Sequence, residues 1–337
     1  MSANNFFYID KTAKIKEVPD IDETLEKLKS GGFAWFSFNC PTLEELTKLS
    51  EPLGLHPLSI EDCLDENQVP KVEEFPTNTF ILFNALKYID KLLIIDEINF
   101  FIGENFLVSV NRINHTNPFF DHIQKLITHD TTNIKGGPSF LLQALLDYIV
   151  DQKSLAIEAI HEAVDDAEDT LMDNFSNFDV RQIQMARREL LALRKSLFNE
   201  REILIKLCRK DSPFIAEKAI YEFRDIYDHL TKFYELTETL REIVTSLMEM
   251  HLSMMNNKMS RLANQTNFTV RRLTYITTIF MPLTLLAGIG GMSEWSMMTG
   301  PQNWKISYTL FLLGMIVLGV INYYMLKVFG NKKRDEV

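Results

Sequence analysis

The chain has 337 residues, with 46 acidic against 35 basic side chains and a formal net charge of −11. A hydrophobic fraction of 46% excludes a largely disordered chain. The acidic balance argues against nucleic acid as a partner, because a phosphate-binding surface needs clustered Lys and Arg.

In chain order, residues 6–18 and 33–38 read as strands, and Thr42–Ser50 and His56–Leu64 as short helices. From Val72 a strand pattern is interrupted by Pro76, then Thr79–Leu86 reads as a strand. Leu92–Ile102 and Asn105–Asn111 flank the turn Gly103-Glu104 as a hairpin. Residues 1–135 are therefore expected to form a cytoplasmic α/β domain. After Gly136-Gly137-Pro138 the pattern turns helical. One helix runs from Ser139 to about Met172, its later half acidic, and a second covers Asp179–Arg209, so that 138–210 form a helical hairpin. A third helical pattern starts near Ala216 and meets no Pro or Gly until Pro282. At 1.5 Å per residue that is about 100 Å, too long for a monomeric globule to cover, and it implies a stalk over 214–272 packed against copies of itself or other helices.

The mean hydropathy of −0.06 hides an uneven distribution. Leu273–Ser293 and Ile306–Leu326 are each 21 residues without a charge, long enough to span about 30 Å of hydrocarbon as helices. The segments predicted are a first transmembrane helix over 273–293, an external loop over 294–305, a second transmembrane helix over 306–329 and a basic tail over 330–337. Residues 273–337 carry five basic and three acidic side chains, so the first 272 carry −13. Arg261, Arg271 and Arg272 precede the first span, and Lys327, Lys332, Lys333 and Arg334 close the second. The positive-inside bias places both termini in the cytoplasm of a multi-pass protein of the cell inner (plasma) membrane. The N-terminus lacks a basic-then-apolar signal pattern. Cys40, Cys63 and Cys208 are scattered and without a CxxC pair, as fits a reducing compartment.

The long helix carries a stripe at alternating steps of three and four: Ser246, Glu249, Ser253, Asn256, Ser260, Ala263, Asn267, Val270, Thr274, Thr277, Met281, Thr284, Gly288. A coiled-coil seam puts Leu or Ile on such a line, whereas this one is small or polar for most of its length, with Val270 and Met281 as the main apolar interruptions. Two readings follow: a pore wall around an axis shared by several copies, or close packing through small residues. No Asp, Glu, Lys or His lies within the span, so hydroxyls, amides and carbonyls suit a hydrated ion better than a bare one. Met281 and Leu273 would form apolar constrictions. No P-loop is present, and the histidines show no HExxH or other ligand-pair spacing, so the chain does not read as an enzyme.

Tyr275–Ile289 (Tyr-Ile-Thr-Thr-Ile-Phe-Met-Pro-Leu-Thr-Leu-Leu-Ala-Gly-Ile), followed by Gly291-Met292, closely resembles the pore helix of the CorA magnesium transporters. Gly54–Asp62, Pro70–Glu74, Arg188–Lys195 with Asp211-Ser212-Pro213, and Phe223–His229 resemble further segments of the same family in the same order. The resemblance implies a funnel-shaped homopentamer in the lipid bilayer: an α/β cytoplasmic domain, a long-helix stalk and two transmembrane helices per subunit. It implies passive influx of divalent cations, Mg²⁺ first with Co²⁺ or Ni²⁺ as passengers. Asn267, Val270, Leu273, Thr274, Thr277, Met281, Thr284 and Gly288 would line the pore. Gly291, Met292, Ser293 and Glu294 would form the selective mouth, and Lys332, Lys333 and Arg334 a basic ring. Mg²⁺ would also regulate, bridging Glu61 and Asp62 of one subunit to Asp225 of the next. The family signature is Gly-Met-Asn, usually with an aromatic residue before it; here the segment is Gly290-Gly291-Met292-Ser293. That departure opens an alternative, a CorA-like channel for zinc, as in the related ZntB group, or for another ion. A further alternative is a membrane-anchored sensor or scaffold without transport.

Overall fold

The computed structural model describes residues 4–65, 68–89, 92–112, 136–209, 212–291, 300 and 303–332. The chain divides into two compact units, Met1–His251 and Leu252–Val337. The first is built on seven strands: β1 (Asn5–Ile9), β2 (Ile15–Val18), β3 (Phe33–Asn39), β4 (Lys71–Glu74), β5 (Thr79–Ile89), β6 (Leu92–Ile102) and β7 (Phe106–Asn111). They form one sheet in the order β2-β1-β3-β7-β6-β5-β4, antiparallel except for β3 against β7.

The single strand expected over 6–18 is two strands paired Phe6 to Val18. Asp10 makes the reversal: its carboxylate accepts from the N–H groups of Thr12 (2.8 Å) and Lys14 (3.0 Å), and Ala13 takes a left-handed φ of 60°. This Asx-type turn needs no Gly or Pro, which is why the pattern read through it. Helix α1 (Ile21–Leu28), absent from the sequence reading, starts where Asp20 caps the Glu23 N–H at 2.7 Å.

Helices α2 (Leu43–Leu53) and α3 (Pro57–Asp62) lie where expected. Thr42 and Glu45 form a reciprocal capping box, worth about 1 kcal/mol. Gly54, at φ 67°, ends α2 in the left-handed conformation, and a Cβ there would collide with Thr77 Oγ1 at 2.6 Å. Leu46, Leu49 and Ile60 bury against Phe6, Phe36, Phe38, Phe80 and Phe101 of the sheet.

Helix α4 (Pro138–Asp173) packs on β3, β5, β6 and β7 through a stripe that includes Leu142, Leu145, Leu146 and Ile149. Its partner α5 (Val180–Cys208) contacts α4, β4 and β5. Between them Phe175 and Phe178 stack on His251 of α6 (Ile220–Gly290), with ring centroids 4.8 and 4.9 Å away. In this unit α6 buries Phe223, Ile226, Leu230, Leu240, Val244 and Leu247. In the second unit it continues beside α7 (Trp304–Lys332).

Among the described residues, one ion pair is fully buried inside the first unit. Lys153 of α4 and Glu200 of α5 are both fully buried and bonded to each other. Glu200 Oε1 also accepts from the Asn84 N–H of β5 (3.1 Å) and from Ser196 Oγ (3.1 Å), while Asn84 Nδ2 donates to Ser196 Oγ at 2.9 Å. The Lys153 ammonium lies 4.5 Å from the centre of the Phe83 ring. Burial pushes the Glu200 carboxyl up and the Lys153 amine down, and each charge opposes the other's shift. Such a pair contributes little against an apolar replacement, yet it is costly to halve. Lys153→Met is therefore expected to lose about 3–5 kcal/mol of stability. Lys153→Met with Glu200→Leu should recover most of it. Thermal melting of the full-length protein in detergent measures both, and equal losses in the single and double variants would refute the account.

Candidate ion pathway and acidic cluster

Among the described residues, two helices are long and apolar enough to cross a membrane, with mean hydropathies of 1.6 and 2.0 over their most apolar windows. One is the later part of α6 and the other is α7. Their mutual seam can be read from burial. On α6 beyond residue 254 the half-buried or buried positions are Tyr275, Ile279, Pro282, Leu283, Leu286 and Gly290. On α7 they are Ser307, Phe311, Met315, Gly319, Asn322 and Leu326. Both series recur every three or four residues, as one helix face does.

The polar stripe lies elsewhere. Asn267, Val270, Leu273, Thr274, Thr277, Met281, Thr284 and Gly288 are all exposed in the single chain, Met281 to 71%. Thr277, Met281, Thr284 and Gly288 each sit two residues beyond a seam position, or about 200° around the helix. The stripe therefore faces away from α7. Packing of the stripe onto the chain's own second span is excluded, while a pore wall and close packing between copies both stay open as readings.

The hydroxyls on this face are already committed as donors. Thr274 Oγ1 donates to the Val270 carbonyl (2.9 Å), Thr277 Oγ1 to that of Leu273 (3.1 Å) and Thr284 Oγ1 to that of Phe280 (2.8 Å). What each oxygen has left to offer is a lone pair. Pro282 lies inside α6 and has no N–H to give the carbonyl of Thr278. Below the seam Arg272 sits over Phe268 at 4.4 Å and Arg271 Nε donates to Tyr275 Oη at 2.6 Å.

Of the expected mouth, Gly291 closes the last turn of α6, its N–H on the Ala287 carbonyl at 3.0 Å. Met292, Ser293 and Glu294 lie outside the described residues, as do Lys333 and Arg334. Lys332 ends α7, and its side chain is likewise outside them.

The expected regulatory residues fall in different settings. Glu61 is exposed on α3. Asp62 is held by Lys71 at 2.7 Å, which also binds Glu73 at 2.9 Å. Asp225 is exposed on α6. Within the chain, Asp147 and Asp151 of α4 meet His229 of α6, with their ligand atoms all within 4.8 Å of one another. Burial, then Asp151, pushes the Asp147 carboxyl above the usual range; His229 opposes this, while Asp225 and Glu222 add to it. Asp225 thus belongs electrostatically to a cluster that contains neither Glu61 nor Asp62. The signal for it was present as an i, i+4 aspartate pair opening the acidic helix. What was missing was the long-range pairing of α4 with α6. Carboxylate and imidazole ligands together suit a divalent cation, His229 adding a preference for first-row transition metals.

A model of the family described as CorA-like Mg²⁺ transporter protein matches residues 30–332. The chain belongs to this family. CorA-family members are ion transporters, so the chain is a divalent-cation transporter of a membrane and not an enzyme. It is 31% identical over 319 residues to the cobalt/magnesium transport protein CorA of Thermotoga maritima, covering 93% of this chain and 87% of that one. It is 26% identical over 322 residues to the putative metal ion transporter YfjQ of Bacillus subtilis, covering 94% and 95%. The fold matches the complete CorA structure from Methanocaldococcus jannaschii with a TM-score of 0.69, at 24% identity over 96% of this chain and 97% of that one. The expected architecture of an α/β domain, a long helix and two spans is therefore the CorA fold.

The raised carboxyl of Asp147 gives a pH test. A raised folded-state pKa means that this group's contribution to stability is full below the ordinary carboxylate range and is lost as pH rises through the raised value. Asp147→Asn removes that loss. The variant should melt higher than the unmodified protein at neutral pH in chelator, and the gap should close as pH falls below the carboxylate range. A gap that widens on acidification would contradict the assigned cause.

Proposed function

We propose that the chain forms a homopentameric channel in the plasma membrane, both termini cytoplasmic, that passes Mg²⁺ inward down the membrane potential. The observation that carries this reading is the stripe on the face of α6 turned away from α7, whose threonine hydroxyls have only lone pairs left to offer. A hydrated Mg²⁺ presents water hydrogens outward and sheds its water reluctantly. A wall of threonine lone pairs, the Asn267 amide and glycine backbone meets those hydrogens without stripping the ion. Copies of α6 around an axis would keep such a stripe off hydrocarbon. Met281, Leu273 and Val270 on the same line supply apolar constrictions that close by dewetting. Gly291, Met292, Ser293 and Glu294 form the outer mouth in this reading, and Lys332, Lys333 and Arg334 the basic ring near the inner surface.

Influx of radiolabelled Mg²⁺ into proteoliposomes at a negative inside potential tests the proposal. The unmodified chain should exceed empty vesicles, and Thr277→Leu with Thr284→Leu should cut entry by about tenfold, a loss of ~1.4 kcal/mol in the barrier balance. Uptake unaffected by the leucines would remove the stripe from the ion pathway, and uptake by the unmodified chain no greater than that of empty vesicles would turn the reading toward a scaffold. Zn²⁺ outrunning Mg²⁺ in the same vesicles would favour the alternative, a channel retuned by Ser293 at the mouth.

Regulation follows from charge. Glu61 and Asp62 of one subunit, facing Asp225 of the next, repel one another until a divalent ion joins them. Asp62 has to exchange its Lys71 partner for that ion, which weakens the site. Asp225→Ala is expected to abolish Mg²⁺-dependent protection of the cytoplasmic unit from protease. Undiminished protection would remove Asp225 from the sensor.

A further inference from the structure

Helices α6 and α7 meet through two reciprocal contacts. A Cβ added at Gly290 would lie 2.7 Å from Cζ of Phe311 and 3.0 Å from its Cε1. Further along α7, Gly319 receives Leu283 of α6, whose Cδ1 would be 3.6 Å from an added Cβ. Each helix thus gives one large side chain and one glycine. The two contacts are not equal. The second leaves ordinary van der Waals room for a methyl group, whereas the first leaves none. Gly290 is also the one buried position among the described residues of 252–327. Two residues before it, Gly288 lies on the stripe with nothing within 4 Å of an added Cβ.

We infer that Phe311 is a positioning residue for the outer end of the ion pathway: seated on Gly290, it lets the last turn of α6 lie close to α7 and so sets how far Gly288 stands from the pathway's centre. The inference rests on the channel reading of α6. Its mechanics are those of a shim. Any side chain at 290 pushes the end of α6 away from α7. Gly288 points about 200° away from the contact, so the same displacement carries its backbone into the pathway. A smaller residue at 311 removes the obstruction and lets the helix return.

The test uses the full-length protein with Gly290→Val, Phe311→Ala, the two combined, and Gly319→Ala. Mg²⁺ and Co²⁺ uptake into proteoliposomes and melting in detergent are read for each. Gly290→Val should lower Mg²⁺ uptake by about tenfold or more, and adding Phe311→Ala should bring it back to within about threefold. Gly319→Ala should stay within about twofold. The Mg²⁺ to Co²⁺ uptake ratio should shift in Gly290→Val and return in the pair, which loss of folded protein alone does not produce. If Val prevents assembly, Gly290→Ala gives the same order of effects. Unmodified-level uptake and ratio in Gly290→Val, or no rescue by Phe311→Ala in protein that melts normally, would overturn the inference. If the unmodified chain moves no Mg²⁺, the channel reading fails instead, while rescue of the melting temperature by the pair still reports the contact.

Discussion

A polar line on a helix that crosses hydrocarbon has to face something other than lipid. That constraint governs the second unit of this protein. The stripe from Asn267 to Gly288 and the seam from Tyr275 to Gly290 occupy opposite sides of one helix. With α7 taking the seam, the stripe is left for water, ions or further copies of itself. In the proposed channel, oligomerisation and conduction are two consequences of one arrangement.

The first unit solves a different problem. Its sheet carries helices α1–α3 on an aromatic core, and α4 on strands β3, β5, β6 and β7. The buried Lys153–Glu200 pair ties α4 and α5 to β5. Asp147 and Asp151 stand on the same helix as Lys153, and His229 stands on α6. The part of the protein that gathers carboxylates is thus built on the helix that the buried pair fixes, and a repulsive cluster can be held in place by a packed core beneath it.

How much of this was legible in the sequence depended on how local each signal was. The long helices were readable because the third helical pattern meets no Pro or Gly from Ala216 to Pro282 and because 21-residue runs lack charge. The capped starts of α2 and α3 were readable from Thr42 with Glu45 and from Pro57. The turn at Asp10 was not, since its hydrogen bonds come from one carboxylate rather than from a turn dipeptide. The stripe was visible, but which way it pointed was not. Direction is set by α7, and nothing in residues 273–293 alone identifies the face that α7 takes. The same holds for Gly290. In sequence it is a missing aromatic; in the fold, Phe311 brings a ring to that position from the other helix. The Asp147–Asp151–His229 group joins residues about 80 positions apart, beyond the reach of any spacing rule.

The Lys153–Glu200 pair has a consequence for the protein's history. Replacing either residue alone strands a charge in the core, while replacing both with apolar residues is close to neutral. The one-step neighbours of this sequence at these two positions are mostly unfit, and the apolar alternative is two steps away. Asn84 and Ser196, which bond to the same carboxylate network, narrow the route further. A lineage that carries the pair is held to it by the intermediate it would have to pass through, not by any advantage the pair confers.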